Sequence, residues 1–240
     1  MLGRLMAESD LFNAVVFDGT NDYLSKSGTF TGAANAKEFT LSFWIKRSQT
    51  DAAFLIDSAG ANVGLKLEIL DNDHLRIRAF NAATLLDVET ASNVFDNGSW
   101  HHVLMSVDLT NSSTRAIYID DVADSATWTT YTNTVIDWTG VTGLYIGATS
   151  AGASKVAASI AEFYLHTGSY VDLSDSANRR KFITANGRPA MRDYNGGYQG
   201  AGQPKLWLSG ATASWHINKG SGGGFTLTGA LTTAPTLPAI

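Results

Sequence analysis

Leu65-Lys-Leu-Glu-Ile69 and His74-Leu-Arg-Ile-Arg-Ala-Phe80 alternate apolar and charged residues at every second position, with Asp71-Asn72-Asp73 between them. Side chains on a strand point to opposite faces in turn, so each segment has one apolar and one charged face. Asn and Asp tolerate positive φ and bond their own backbone, which makes the intervening residues good hairpin chemistry. Phe39-Thr-Leu-Ser-Phe-Trp-Ile-Lys46 repeats the pattern: Phe39, Leu41, Phe43 and Ile45 share one face, and Thr40, Ser42, Trp44 and Lys46 the other.

Similar segments recur outward from this centre. They are Ala14–Phe17, Tyr23-Leu24, Trp100–Val107, Arg115–Ile119 closed by a turn at Asp120-Asp121, Leu144–Ile146 and Ser159–Leu165. About ten short strands separated by Gly, Asn, Asp and Ser clusters predict an all-β sandwich or barrel. One helix is expected over Leu173–Thr184, with Ser174 as N-cap, Arg179, Arg180 and Lys181 toward its negative end, and Gly187 beyond it. Phe182, with Ile183 or Ala177, would be its buried stripe. The basic cluster Arg179, Arg180, Lys181, Arg188 and Arg192 reads as a solvated helix face rather than a docking patch. After Pro189 the texture changes: loop at Asn195-Gly-Gly and Gly200–Pro204, a strand at Lys205–Ser209, then a glycine-rich arm over Gly220–Thr228 with room for a second short strand, and an extended, Pro-containing end. One domain is expected, residues 1–187 with a core over about 14–184, followed by a C-terminal extension, 188–240.

The 240 residues are 44% apolar and 16% charged, which argues against intrinsic disorder. The net charge of −5 disfavours a nucleic-acid partner, which calls for a basic footprint. No cysteine is present, so disulfides, thiolate metal sites and cysteine nucleophiles are excluded. The first ten residues lack the apolar run of a secretory leader, and no window suits a membrane span, so neither a signal peptide nor a membrane partner is expected.

The order of motifs resembles that of laminin-G-like, concanavalin A-like jelly-roll domains. Phe17-Asp-Gly-Thr-Asn-Asp-Tyr-Leu24 is similar to their opening F-D-G-x-x-D-Y strand, and Phe39–Ile45 to F-T-x-S-x-W-I/V. Trp100-His-His-Val matches W-H-H-V, and Ile117-Tyr-Ile-Asp-Asp121 resembles L-Y-V-D-G with Asp121 in place of the turn glycine. Leu144–Gly147 and Ile160–Leu165 are similar to the closing strands. The resemblance spans about residues 14 to 184 and implies an all-β, two-sheet antiparallel sandwich. The extension, with Leu206-Trp-Leu-Ser-Gly210 and Asn218–Gly229, is similar to the C-termini of tailed-bacteriophage virion proteins that carry such a domain.

No catalytic set emerges. Glucanases of this fold carry E-x-D-x-x-E on one strand, and Glu68-Ile-Leu-Asp-Asn-Asp73 has the wrong spacing and straddles a turn. Neither G-x-S-x-G nor a phosphate loop occurs. His101 and His102, adjacent on a strand, point to opposite faces and cannot share a metal; a structural role is expected, the buried one donating to a backbone carbonyl. No cofactor is expected. Calcium alone stays open, since Asp18, Asn21, Asp22, Asp57, Asp71, Asn72, Asp73, Asp120 and Asp121 offer loop oxygens that spacing does not bring together. Trp128, Tyr131 and Trp138, set among threonines, are the candidate ligand or interface residues, the alternative being an added strand with Trp128 or Trp138 inward.

These readings lead to a non-enzymatic virion structural protein, a capsid decoration or tail-associated module assembled in the host cytoplasm. It would dock through its termini on other virion proteins and on copies of itself. The alternative is a carbohydrate-binding module or adhesin that reads a surface glycan with exposed aromatics, with or without calcium.

Overall fold

The computed structural model describes residues 13–47, 49–190 and 203–240. Arg192, Asn195-Gly-Gly and Gly200–Gly202, expected as part of a basic cluster and as loop, lie outside the described residues. Sixteen strands form two antiparallel sheets among the described residues. In chain order they are β1 (Val15–Asp18), β2 (Tyr23–Ser27), β3 (Glu38–Lys46), β4 (Ala53–Ala59), β5 (Val63–Ile69), β6 (Leu75–Asn81), β7 (Ala83–Glu89) and β8 (His101–Asp108). There follow β9 (Arg115–Ile119), β10 (Val122–Ala123), β11 (Thr127–Tyr131), β12 (Gly143–Ile146), β13 (Ala157–Thr167), β14 (Leu206–Leu208), β15 (Thr226–Thr228) and β16 (Thr232–Thr233). Sheet A runs β10-β9-β8-β3-β13-β1-β16, with β14 also on β13; sheet B runs β11-β7-β6-β5-β4-β12-β2-β15. The fold is the expected all-β sandwich.

The alternating segments dock as their periodicity requires. Phe39, Leu41, Phe43 and Ile45 of sheet A meet Leu65, Leu67, Leu75 and Ile77 of sheet B in one buried cluster, with Phe43 stacked on Phe163 at 5.2 Å. The β5–β6 hairpin turns at Asp71-Asn72-Asp73, where Asp73 takes a positive φ of 65°. Asp120 and Asp121 both adopt positive φ, the conformation of a tight hairpin turn, and return the chain from β9 to β10.

The two sheets differ on their outer faces. Sheet A is covered: Trp44, Trp100, Ala161 and Ile183 form one outer cluster, and Leu104, Tyr164, Leu173 and Phe182 another. The expected twelve-residue helix is a single turn, α1 (Ser176–Arg179), capped by the Asp175 carboxylate on the Ala177 N–H rather than by Ser174. So short a helix has no stripe, and Ala177 stays exposed; Phe182 and Ile183 are buried from the turns that follow. Arg179 and Arg180 are not a solvated face. Both bind Asp121 at the β9–β10 turn, at 2.7 and 2.5 Å, and fasten this cover to the sheet.

The C-terminal segment, expected as a flexible arm, is built into both sheets over its described length. β15 extends sheet B at β2, β16 extends sheet A at β1, and β14 pairs with β13. Trp215 is fully buried, edge-on to Phe17 at 5.9 Å. The Asp22 carboxylate of the F-D-G-T-N-D-Y stretch accepts the Ala230 N–H at 2.7 Å. A Cβ on Gly229 would lie 2.1 Å from that carboxylate, so only glycine lets the tail seat here. The arm lacks a core of its own, and it gains order on the edges of its own sandwich.

Trp215→Ala should therefore lower unfolding free energy by about 3–5 kcal/mol in chemical denaturation. Trp215→Phe, which keeps a ring against Phe17 and removes an indole N–H without an acceptor, should lose much less.

Candidate functional site

The three candidate aromatics separate into two structural roles. Trp138 is a core residue with no exposed surface, tilted against Phe30 at 6.3 Å, and is withdrawn as a ligand contact. Trp128 and Tyr131 belong to β11, the edge strand of sheet B, paired with Val88 and Leu86 and hence pointing inward. Their rings meet edge-on at 5.8 Å and both hold the Arg115 guanidinium of sheet A, 4.7 Å from each centroid. The Tyr131 hydroxyl donates to the Asp108 carbonyl at 2.8 Å. These groups close the seam between the sheets, as the inward-strand alternative has it for Trp128. Burial pushes the Tyr131 phenol up to about 12.

Several of the remaining polar candidates are engaged within the fold. His101 pairs with Asp120 at 2.6 Å and with Asn97 at 3.1 Å, whereas His102, buried beneath the sheet A cover, lies against Trp44 and bonds the Ser42 hydroxyl at 2.9 Å. The Asp18 carboxylate accepts the N–H groups of Thr20, Asn21 and Asp22, which lowers its pKa. Asp57 pairs with Lys66, Asp120 with His101, and Asp121 with two arginines. Among the described residues no three His, Asp or Glu side chains come together as a metal site.

What the fold does assemble is a polar row across the outer face of sheet B. Register aligns Thr226, Ser25, Tyr145, Asp57, Lys66, Arg78, Asp87 and Thr130, one from each of the eight strands. At about 4.8 Å between strands, seven steps make a track roughly 34 Å long. A second row, Phe54, Glu68, Arg76, Glu89 and Thr127, runs beside it. Asp57 is itself buried, its carboxylate accepting the Ser150 N–H at 2.7 Å, so the open groups begin on either side of it. The half-buried Tyr145 ring occupies the space a side chain at Gly143 would need, its Cε2 lying 3.1 Å from where that Cβ would sit.

The row's charges interlock. Lys66 holds Asp57 at 2.8 Å, Arg78 holds Glu68 at 2.6 Å, and Arg76 grips Asp87 through two bonds of 2.9 and 2.7 Å, which raise the Arg76 pKa. Asp57, Glu68 and Asp87 thus each lie against a cation. The face offers hydrogen bonds and two half-buried rings, at Tyr145 and Phe54.

Residues 18–170 match the laminin-G-type family of the concanavalin A-like lectin/glucanases superfamily. The chain belongs to that superfamily. No curated protein matches it. Among solved structures, a candidate carbohydrate-binding protein from Bacteroides ovatus is 15% identical with a TM-score of 0.64, over 96% of this chain and 62% of that one. The heptameric SAP-like pentraxin of Limulus polyphemus is 14% identical with a TM-score of 0.51, over 70% of this chain and 81% of its own. Domains LG4-5 of the mouse laminin α1 chain are 16% identical with a TM-score of 0.50, over 68% and 44%. At these identities the likeness is one of fold. The superfamily match ends before the C-terminal segment, so the strands that finish both sheets lie beyond it.

Sequence reading missed the row because strand register, not spacing, creates it. The signal was present in part: Lys66, Glu68, Arg76 and Arg78 are the charged half of the alternating hairpin.

A tyrosine with a raised folded-state pKa contributes stability that is whole below pH 10 and lost as pH rises through about 12. Stability of the chain should therefore fall over that window, and Tyr131→Phe should shrink the fall; denaturation midpoints from pH 9 to 12 check both.

Proposed function

We propose that this superfamily member is a non-catalytic carbohydrate-binding module that lays a saccharide chain across the open face of sheet B. The observation that carries the reading is the polar row. It provides donors and acceptors on eight adjacent strands, with the Tyr145 ring set in a glycine-made gap, on the sheet whose outer face carries no apolar cover cluster among the described residues. Saccharides present hydroxyls at their edges and C–H groups on their faces, so paired charges and an aromatic ring suit them. A track of about 34 Å accommodates several sugar units. The superfamily's lectin members and the Bacteroides ovatus neighbour support this reading. Asp57, Glu68 and Asp87 each lie against a cation, which supports binding over hydrolysis.

Display on a virus particle remains compatible with such a module, which would then serve as its adhesin. The feature that motivated docking through a free C-terminal arm is, however, folded into the sandwich. The glycan reading therefore stands first.

Calorimetric titration with a panel of neutral and charged oligosaccharides tests it. Binding should be found for at least one class, and Tyr145→Ala should weaken it about ten-fold, the loss of roughly 1.4 kcal/mol, with the unfolding midpoint little changed. Absence of binding across the panel, with and without calcium, would overturn the reading.

A further inference from the structure

We infer that Arg115 forms a subsite for an anionic group at the β11 edge, so that the saccharide taken by this face is an acidic one. The inference rests on the carbohydrate reading above and names the class of sugar.

The argument begins with the hydrogen bonds Arg115 does not make. Arg47, Arg76, Arg78, Arg179 and Arg180 all donate to protein oxygens. The Arg115 guanidinium makes no hydrogen bond or ion pair with the described residues, and its nitrogens are not among the buried polar atoms that lack a partner. Its N–H groups therefore reach solvent. The group is nevertheless held in place, with its carbon 4.7 Å from the centroids of both Trp128 and Tyr131. The Tyr131 ring is fixed in turn by its hydroxyl on the Asp108 carbonyl, and both rings pack on the core.

An arginine packed against two fixed rings, with N–H groups that reach solvent, can offer those groups to a carboxylate through two parallel bonds. Fixing the guanidinium beforehand removes side-chain entropy that binding would otherwise cost. The acidic side chains on the flanking strands are occupied: Asp87 by Arg76, Glu89 by Asn72, and Asp108 by the hydroxyl and N–H of Thr110.

The location fits an extended ligand. Thr130 ends the polar row on the outer face of β11, and Arg115 lies around the edge of the same strand. Thr127 and Thr129 are exposed beside it. A chain crossing sheet B toward β11 would bring a ring substituent over that edge to the guanidinium. A sugar carboxylate and a sugar sulfate ester share the required chemistry.

Calorimetric titration of the full chain with three oligosaccharides of matched length separates the cases: an oligouronide, a sulfated oligosaccharide and a neutral one. At least one anionic ligand should bind about ten-fold or more tighter than the neutral one. Arg115→Gln should abolish that preference and leave neutral binding unchanged. Arg115→Lys, which retains charge but not the fork, should recover part of the sulfate preference and little of the uronide preference. Thermal unfolding of both variants distinguishes loss of a contact from loss of the seam. Equal affinity for neutral and anionic ligands, or an equal loss of both in a folded Arg115→Gln, would overturn the subsite while the carbohydrate reading stood. Failure of all three ligands to bind would overturn both.

Discussion

Strand β13 is the member on which the sandwich depends, because three other strands take their register from it. It pairs with β3 along its length, with β1 over Ala157–Ile160 and with β14 over Phe163–Leu165. Its side chains must serve two buried faces, since sheet A packs on sheet B inside and on its own cover outside. A bulge between Ala161 and Tyr164 makes this workable, with Glu162 at a positive φ of 48°. Ile160 points inward and Ala161 outward; the bulge absorbs Glu162, so Phe163 returns inward and Tyr164 outward. Without the extra residue, every side chain from 163 onward would change face. Phe163 would leave Phe43, and Tyr164 would leave Phe182.

The same device explains which strands the sequence concealed. β5 and β6 pair without interruption over seven residues, and their strict alternation is readable by eye. In β4 a bulge sends both Leu55 and Ile56 inward, and in β7 another sends Leu85 and Leu86 inward. Two consecutive core residues break the period-2 signal, so neither segment reads as a strand. The helix misled for a different reason: capping residues and basic charges near Leu173–Thr184 satisfy local rules, while the chain there is shaped to bury Phe182 and Ile183 on sheet A. In the tail, β14 falls within the expected strand Lys205–Ser209 and β15 within the glycine-rich stretch, while the two-residue β16 has no pattern of its own. β16 and β15 exist because β1 and β2 leave edges to fill.

The candidate site was less legible than the fold. Aromatics among threonines single out Trp128, Tyr131 and Trp138, yet composition cannot tell an inward ring from an outward one. Trp138 follows Ile136 into the core, and Trp128 and Tyr131 turn to the seam because their partners on β7 are Val88 and Leu86. Tyr145 sits in a short apolar strand whose other outward position is Gly143. Its importance comes from neighbours distant in sequence, Ser25 on one side and Asp57 on the other. A row built from eight strands exists only once all seven registers are set.

The interlocking of charges on that row carries a further consequence. An open sheet face rich in unpaired donors or apolar groups invites association with other surfaces. Pairing Lys66 with Asp57, Arg78 with Glu68 and Arg76 with Asp87 matches each of these six charges with its opposite and weakens the field a charged protein surface could follow. It still leaves N–H groups and carboxylate lone pairs at the periphery of each pair, which hydroxyls can use without separating the ions. Breaking a partly buried pair would cost more than one hydroxyl returns, so ligands of this face must bind around the pairs rather than between them. On the proposed carbohydrate reading, affinity per site would then be modest and would grow with the number of strands a ligand crosses; such a face would select for length, with Arg115 at one end to set direction.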